Sequence, residues 1–125
     1  MAANKNAPRH YPVARVVEVY DSDTIKLDVD MGGSIHWWPW IRLRGVGGPE
    51  LSEPDGQKAR NDVVLWLAEH APDSYVALTT FRTAGTAKQI HEQQSFVRYI
   101  GVIAASNGAE LNKYLVDAGY VNRGQ

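Results

Sequence analysis

The clearest pattern of apolar and polar positions in the chain spans residues 24 to 31. Four apolar side chains alternate strictly with polar ones there, and they are Ile25, Leu27, Val29 and Met31. A period of two predicts a strand with one buried face. Residues 13–20 are rich in β-branched and aromatic residues, and Asp21-Ser22 supplies turn chemistry. The two segments therefore predict a β-hairpin.

Three further strands are expected. Residues 35–46 predict the third, although Pro39 has no N–H to donate and indicates an edge or a bulge. Residues 75–81 and 95–104 predict two more strands. The polar segment 82–94 between them shows no period, so we expect a long loop or a protruding hairpin.

Two helices complete the pattern. Ser52 and Asp55 resemble a capping box, and Pro54 suits a first helical turn. Apolar side chains then recur at helical spacing at Ala59, Val63, Trp66 and Leu67, and Pro72 ends this helix near His70. A short second helix is expected between Asn107 as N-cap and Gly119 as C-cap, with Glu110 in its first turn and Leu111, Leu115 and Ala118 on one face.

The order βββ-α-ββ-α predicts a mainly β, α+β fold: a five-stranded OB-fold Greek-key barrel. One helix lies between strands three and four, and a second lies near the C-terminus. A chain of 125 residues fits a single domain. We assign residues 1–10 to a flexible tail and residues 11–125 to the OB-fold domain.

Composition narrows the possible functions. No apolar run approaches the length of a membrane helix. Residues 1–9 lack the apolar core of a signal peptide, so we expect a cytoplasmic protein. We also expect a monomer or a weak oligomer. The chain has no cysteine, so a metal must be held by oxygen or histidine. The net charge of −1 argues against tight, non-specific binding of duplex DNA.

Several polar residues are candidates for chemistry, each with an ordinary alternative. Arg42 and Arg44 alternate with Leu43, so both guanidinium groups are expected on one face, where they could grip a phosphate; strand arginines are also often solvated or paired with carboxylates. Asp21 and Asp23 flank a turn, and such aspartates form Asx-turns as well as oxygen-only metal sites. The four histidines show no ligand spacing and are read as structural or surface residues.

Four ordered segments together resemble staphylococcal nuclease and its thermonuclease-like relatives. They are Asp-Ser-Asp-Thr-Ile-Lys-Leu at 21–27, Ile-Arg-Leu-Arg-Gly-Val-Gly-Gly-Pro-Glu at 41–50, Ser-Phe-Val-Arg-Tyr-Ile-Gly at 95–101, and Leu-Asn-x-x-Leu-x-x-x-Gly at 111–119. The resemblance covers residues 11–121. It implies metal-dependent hydrolysis of phosphodiester bonds.

The resemblance implies a calcium site. Asp23 matches a metal-binding aspartate, and Gly48 matches a residue whose backbone carbonyl helps to hold the metal. Gly47 stands where the family has a second metal-binding aspartate, so calcium affinity is expected to fall. Asp21 is not expected to replace that carboxylate, because side chains two apart in an extended segment face opposite ways.

The resemblance also implies the residues that act on the substrate. Arg42 and Arg98 match the two arginines that clamp the phosphate, and Glu50 matches the carboxylate that handles the attacking water. Phe96 matches an aromatic residue that packs against a nucleotide. Val97 replaces the usual glycine before the second arginine, which restricts the backbone there.

Two functions therefore remain open from sequence. The first is a calcium-type endonuclease acting on DNA and/or RNA, with a preference for single strands. The alternative is a catalytically degenerate OB-fold module that binds single-stranded nucleic acid or a protein partner, favoured by Gly47 and by the near-neutral charge. In the alternative, Trp37, Trp38 and Trp40 form a stacking surface; otherwise they pack in the core and the barrel rim.

Overall fold

The computed structural model describes residues 7–81 and 98–121. These residues form six strands and two helices. The strands are β1 (Arg9–Val19), β2 (Thr24–Asp30), β3 (His36–Trp37), β4 (Trp40–Leu43), β5 (Tyr75–Phe81) and β6 (Arg98–Ala104), and the helices are α1 (Gly56–His70) and α2 (Leu111–Asp117).

The strands close into a mixed barrel. Their order is β1-β5-β6-β4-β2, and β1 pairs again with β2 to complete the ring. The β4–β6 pair is parallel, while the other pairs are antiparallel. Strand β3 pairs only with β2, because the predicted third strand is interrupted at Trp38 and Pro39. The five-stranded, OB-like barrel with α1 between its third and fourth strands is thus confirmed.

The predicted β1–β2 hairpin is confirmed, with a longer first strand. β1 begins at Arg9, which pairs with Thr80 of β5, and it contains a register shift between Val16 and Glu18 opposite β2. The alternation in β2 holds: Ile25, Leu27 and Val29 are fully buried. Met31 is 46% exposed, since β2 ends at Asp30 and the chain turns at the following glycines.

The predicted start of α1 is wrong, while its end at His70 is confirmed. The helix begins at Gly56, and Asp55 is its N-cap without a side-chain capping bond. Residues 51–55 form turns, in which the N–H of Glu53 donates to the carbonyl of Glu50 over 2.9 Å. A Cβ at residue 56 would overlap that same carbonyl, so glycine is needed where this loop crosses the helix start.

Helix α2 also begins later than predicted, with Glu110 as N-cap. Asn107 instead closes an Asx-turn, in which its Oδ1 accepts the N–H of Ala109 over 3.0 Å. Gly119 follows the helix with a φ of 101°, the left-handed conformation that favours glycine.

Buried Asn112 ties α2 to the barrel. Its Oδ1 accepts the N–H of Ile103, and its Nδ2 donates to the carbonyls of Arg44 and Gly101, each over 3.0 Å. Arg44 follows β4, and the other two residues lie in β6. One amide therefore fixes the end of β4, the middle of β6 and the C-terminal helix relative to one another.

The predicted loop at 82–94 and the start of the predicted last strand at 95–97 lie outside the described residues. Within the described ranges, neither helix is long and apolar enough to cross a membrane.

Candidate functional site

The barrel places Asp23 beside Arg42. Thr24 of β2 lies opposite Arg42 of β4, and the N–H of Leu43 donates to the carbonyl of Asp23 over 2.7 Å. Asp23 Oδ2 and Arg42 Nη1 are 3.2 Å apart, with side chains that are 17% and 25% exposed. An ion pair that is largely buried in this way is held in one geometry.

This ion pair lies in a cleft of about 870 Å³ between the barrel, the loop after β4, the start of α1 and the residues after α2. The cleft brings together three of the sequence-predicted site residues, Asp23, Arg42 and Gly48, with several residues that the sequence did not indicate. Its lining residues are Asp23, Arg42, Gly47, Gly48, Pro49, Glu53, Asp55, Lys58, Gly119, Tyr120 and Val121.

Asp21 lies against Asp23, contrary to the prediction that the two side chains face opposite ways. Residues 21–23 form a bend and not an extended strand, and Asp21 Oδ1 accepts the N–H of Asp23 over 3.1 Å. Burial raises the pKa of Asp21 to about 6, and the side-chain hydrogen bond and charge repulsion from Asp23 add to the rise. Two carboxyl groups thus meet at the edge of the cleft.

The residues present are of the types that could hold a hard divalent cation. Asp21 and Asp23 bring two carboxyl groups together, and Asp23 and Gly48 both line the cleft. Two close carboxylates repel each other, and a divalent cation relieves that repulsion. The protein oxygens are fewer than the six to eight ligands that calcium takes, so water must supply the rest. In the ranges 7–81 and 98–121 there is no cluster of three or more Asp, Glu or His arranged to hold a metal.

Gly47 and Gly48 are held close to their neighbours. The N–H of Gly47 donates to the carbonyl of Tyr120 over 3.2 Å. A Cβ at residue 48 would overlap Ser22 Oγ, which is buried and has no hydrogen-bond partner among the described residues. The bend at residues 21–23 and the loop after β4 therefore pack directly together, and a larger residue at position 48 would require the Ser22 side chain to move.

Arg42 and Arg44 do not act as a pair. Arg42 contacts Asp23, whereas Arg44 lies in the turn after β4 with its guanidinium carbon 4.2 Å from the centre of the Phe81 ring. Arg44 is not among the residues that line the cleft. The structure therefore offers one of these two arginines to a ligand in the cleft.

The other predicted site residues are only partly described. Arg98 is the first residue of β6, and its backbone lies opposite Trp40 of β4. Phe96 lies outside the described residues. Glu50 is exposed in the loop before α1, where its carboxylate makes no hydrogen bond or ion pair with any described residue. Two other carboxylates, those of Glu53 and Asp55, line the cleft.

Sequence reasoning missed a network on the helical wall of the cleft. The Tyr120 hydroxyl donates to Asp62 Oδ2 over 2.7 Å, and Lys58 Nζ lies 3.2 Å from the same oxygen. The hydrogen bond from Tyr120 lowers the pKa of Asp62, and the hydrogen bond to Asp62 raises the pKa of Lys58. The i, i+4 spacing of Lys58 and Asp62 was a readable signal, while the approach of Tyr120 was not.

The three tryptophans of the third-strand region do not form one surface. Trp37 packs between Tyr11 and Tyr99, with ring centres 5.6 and 4.9 Å away. Trp38 is 60% exposed and stacks on His36. Trp40 is half-buried and lies on the strand that carries Arg42.

No protein-family model matches the chain, and a comparison with curated proteins gives no match. The assignment of the cleft therefore depends on its geometry and chemistry.

Proposed function

We propose that the chain is a divalent-metal-dependent nuclease that hydrolyses phosphodiester bonds of DNA and/or RNA, with a preference for single strands. The observation that supports this most directly is the cleft in which the Asp23 carboxylate pairs with the Arg42 guanidinium, with Asp21 next to Asp23 on the bend behind it. A cation site next to a phosphate-binding arginine is the arrangement that stabilises charge developing on phosphate oxygens.

Arg42 binds a phosphate oxygen of the substrate in this proposal. Its guanidinium carries five N–H donors, and the contact to Asp23 uses the Nη1 group. The remaining donors make no hydrogen bond with another residue in the described part of the chain, and they bind phosphate in the forked geometry that arginine favours. Asp23 thus orients the guanidinium in the cleft, and Arg98 supplies the second cation of the clamp.

Asp21, Asp23 and the Gly48 carbonyl would hold the metal, for which calcium is the first candidate. When bound, the metal neutralises charge on a phosphate oxygen. The absence of a carboxylate at Gly47 lowers the affinity, and Asp21 compensates in part. Glu50 accepts a proton from the attacking water, which requires its exposed side chain to turn into the cleft.

The second candidate function is a binding module for single-stranded nucleic acid. It is favoured by the existing ion pair between Arg42 and Asp23, since a satisfied pair needs no metal, and by Gly47 at a metal-ligand position. The two candidates predict the same substrate but differ in whether it is cut.

The experiment compares Arg42→Gln with Arg15→Gln. Arg15 is a matched control: it is a partly exposed barrel arginine that also faces an aspartate, Asp28 at 3.7 Å, but lies outside the cleft. Cleavage and binding of single-stranded DNA and RNA are measured with calcium, magnesium, manganese or chelator. We expect metal-dependent cleavage that falls about a hundredfold or more in Arg42→Gln and persists in Arg15→Gln.

Each other result has a defined meaning. Binding without cleavage, lost in Arg42→Gln and kept in Arg15→Gln, supports the binding module. Neither binding nor cleavage by the wild-type chain rejects both functions.

A further inference from the structure

Trp40 and Arg42 share the outer face of β4. Ile41 between them is fully buried in the core, and successive strand residues point to opposite faces. Two residues along a strand span about 7 Å. The side chain of Trp40 is thus the next one along this face from Arg42, whose guanidinium contacts Asp23.

Lys26 on the neighbouring strand β2 and Tyr20, directly after β1, extend this surface. The rings of Tyr20 and Trp40 meet edge to face, with centres 6.2 Å apart at 81°, and Tyr20 is 50% exposed. Lys26 lies directly opposite Trp40 in the β2–β4 register, and its Nζ is 5.5 Å from the centre of the indole. We call Tyr20, Lys26 and Trp40 the Trp40 shelf.

The shelf is connected to the cleft at both ends. Tyr20 directly precedes Asp21, and the N–H of Tyr20 donates to the carbonyl of Thr24 over 3.0 Å, across the bend that carries the carboxyl pair. A ligand whose phosphate contacts Arg42 therefore meets the aromatic rings next to it.

The chemistry of the shelf suits a nucleobase with its phosphate. Exposed aromatic faces stack on bases, and a lysine ammonium neutralises backbone charge. Glu18 lies opposite Lys26 in the β1–β2 register, so this ammonium has a carboxylate residue as its cross-strand neighbour.

We propose that the Trp40 shelf stacks against an unpaired base of a nucleic-acid strand whose adjacent phosphate is bound by Arg42. This inference rests on the proposed function, and it explains the preference for single strands by structure. The faces of bases inside a duplex are covered by their neighbours, so only an unpaired or flipped base can stack on the shelf.

The test compares Tyr20→Ala with Tyr114→Ala in the full chain. Both tyrosines are exposed, but Tyr114 lies on α2, away from the shelf. The probes are a fluorescent oligothymidylate of eight nucleotides and an abasic phosphodiester strand of equal length, with EDTA present to prevent metal-dependent cleavage. Dissociation constants are measured by anisotropy.

We expect Tyr20→Ala to weaken oligothymidylate binding by about 5- to 100-fold, the range for loss of one stacking contact. Its affinity for the abasic strand and both affinities of Tyr114→Ala should stay within about twofold of the wild type. Trp40→Phe, paired with the control Trp38→Phe, gives a second measurement with a smaller change to the packing, and we expect several-fold weaker binding for Trp40→Phe alone.

Three results would overturn the inference. If Tyr20→Ala lost the same affinity for the base-bearing strand and for the abasic strand, the rings would not stack on bases. Unchanged binding in Tyr20→Ala and Trp40→Phe, with strong loss in Arg42→Gln, would reject the shelf and leave the proposed function standing. No binding of either strand by the wild-type chain would reject the inference, while the proposed function is judged separately by cleavage with metal present.

Discussion

The carboxyl pair at the edge of the cleft predicts that Asp21→Asn stabilises the protein at neutral pH. In the folded chain the pKa of Asp21 is raised from 3.8 to about 6, chiefly by burial and then by Asp23. Asparagine removes the charge and keeps an oxygen that can accept the N–H of Asp23. The substitution therefore removes a repulsion while conserving the local hydrogen bond.

The sign follows from proton linkage. Because the folded-state pKa of Asp21 is raised, its contribution to stability is fully present below about pH 3.8 and is lost as the pH rises through about 6. Each pKa unit corresponds to about 1.4 kcal/mol, which sets an upper limit of about 3 kcal/mol. Partial exposure of the side chain screens this effect, so we expect about 1 to 2 kcal/mol.

The assay measures the free energy of unfolding by urea denaturation at pH 4 and pH 7.5, in chelator. The free energy of unfolding of Asp21→Asn should exceed that of the wild type by about 1 to 2 kcal/mol at pH 7.5 and by much less at pH 4. Asp30→Asn is the matched control, because Asp30 Oδ1 accepts the N–H two residues ahead in the same way, over 2.8 Å, but on an exposed hairpin.

Calcium should then reverse the order of stability. An ion that binds only the folded state stabilises it by mass action, so saturating calcium should raise the stability of the wild type more than that of Asp21→Asn. A difference between the two proteins that is the same at both pH values, or that also occurs in Asp30→Asn, would refute the interpretation of the carboxyl pair.

Two further predictions concern the elements that build the cleft. Asn112→Ala should lower the free energy of unfolding by about 2 to 4 kcal/mol, because the N–H of Ile103 and the carbonyl of Arg44 lose their side-chain partner, while the Gly101 carbonyl keeps the N–H of Arg44. Asn61→Ala on the exposed face of α1 should cost less than about 0.5 kcal/mol. Urea denaturation of the two variants checks this, and equal costs would contradict it. Tyr120→Phe should cost about 1 kcal/mol and Tyr114→Phe almost nothing, measured in the same way, and no difference between the two would mean that the hydroxyl bond to Asp62 is not stabilising.

The barrel could be predicted because its signals are local. The strict alternation in β2 reports one buried face, and the end of α1 is correctly placed at His70. The C-cap of α2 is Ala118, one residue before the predicted Gly119. The third strand was predicted over residues 35–46 with an edge or a bulge at Pro39, and the chain is in fact divided there into β3 and β4. The division follows from a proline that lacks the N–H needed for strand pairing.

The errors arise where tertiary contacts override local patterns. The start of α1 was predicted at Ser52, whose spacing to Asp55 imitates a capping box, but the approach of Gly56 to the Glu50 carbonyl delays the helix. That approach involves chain segments whose distance cannot be read from spacing. A β-bulge in β1 is likewise a property of paired strands.

The contacts of the site also divide into those that could be predicted from sequence and those that could not. Pairing of a strand arginine with a carboxylate was one alternative left open from sequence, but Asp23 was not identified as the partner of Arg42. The meeting of Asp21 with Asp23 was not anticipated, because the alternation rule assumes extended backbone and these residues lie in a bend. Tyr120 reaches the cleft through contacts 58 residues away along the chain, for which the sequence carries no local sign.

The central claim is that the cleft is a metal-dependent phosphodiesterase site. Its most direct test is the initial rate of cleavage of a single-stranded oligonucleotide by the wild type and Glu50→Ala, each with calcium and with chelator. The account predicts cleavage by the wild type that requires calcium and that is lost in Glu50→Ala while strand binding is retained. Cleavage that continues in chelator, or that is unchanged in Glu50→Ala, would contradict it.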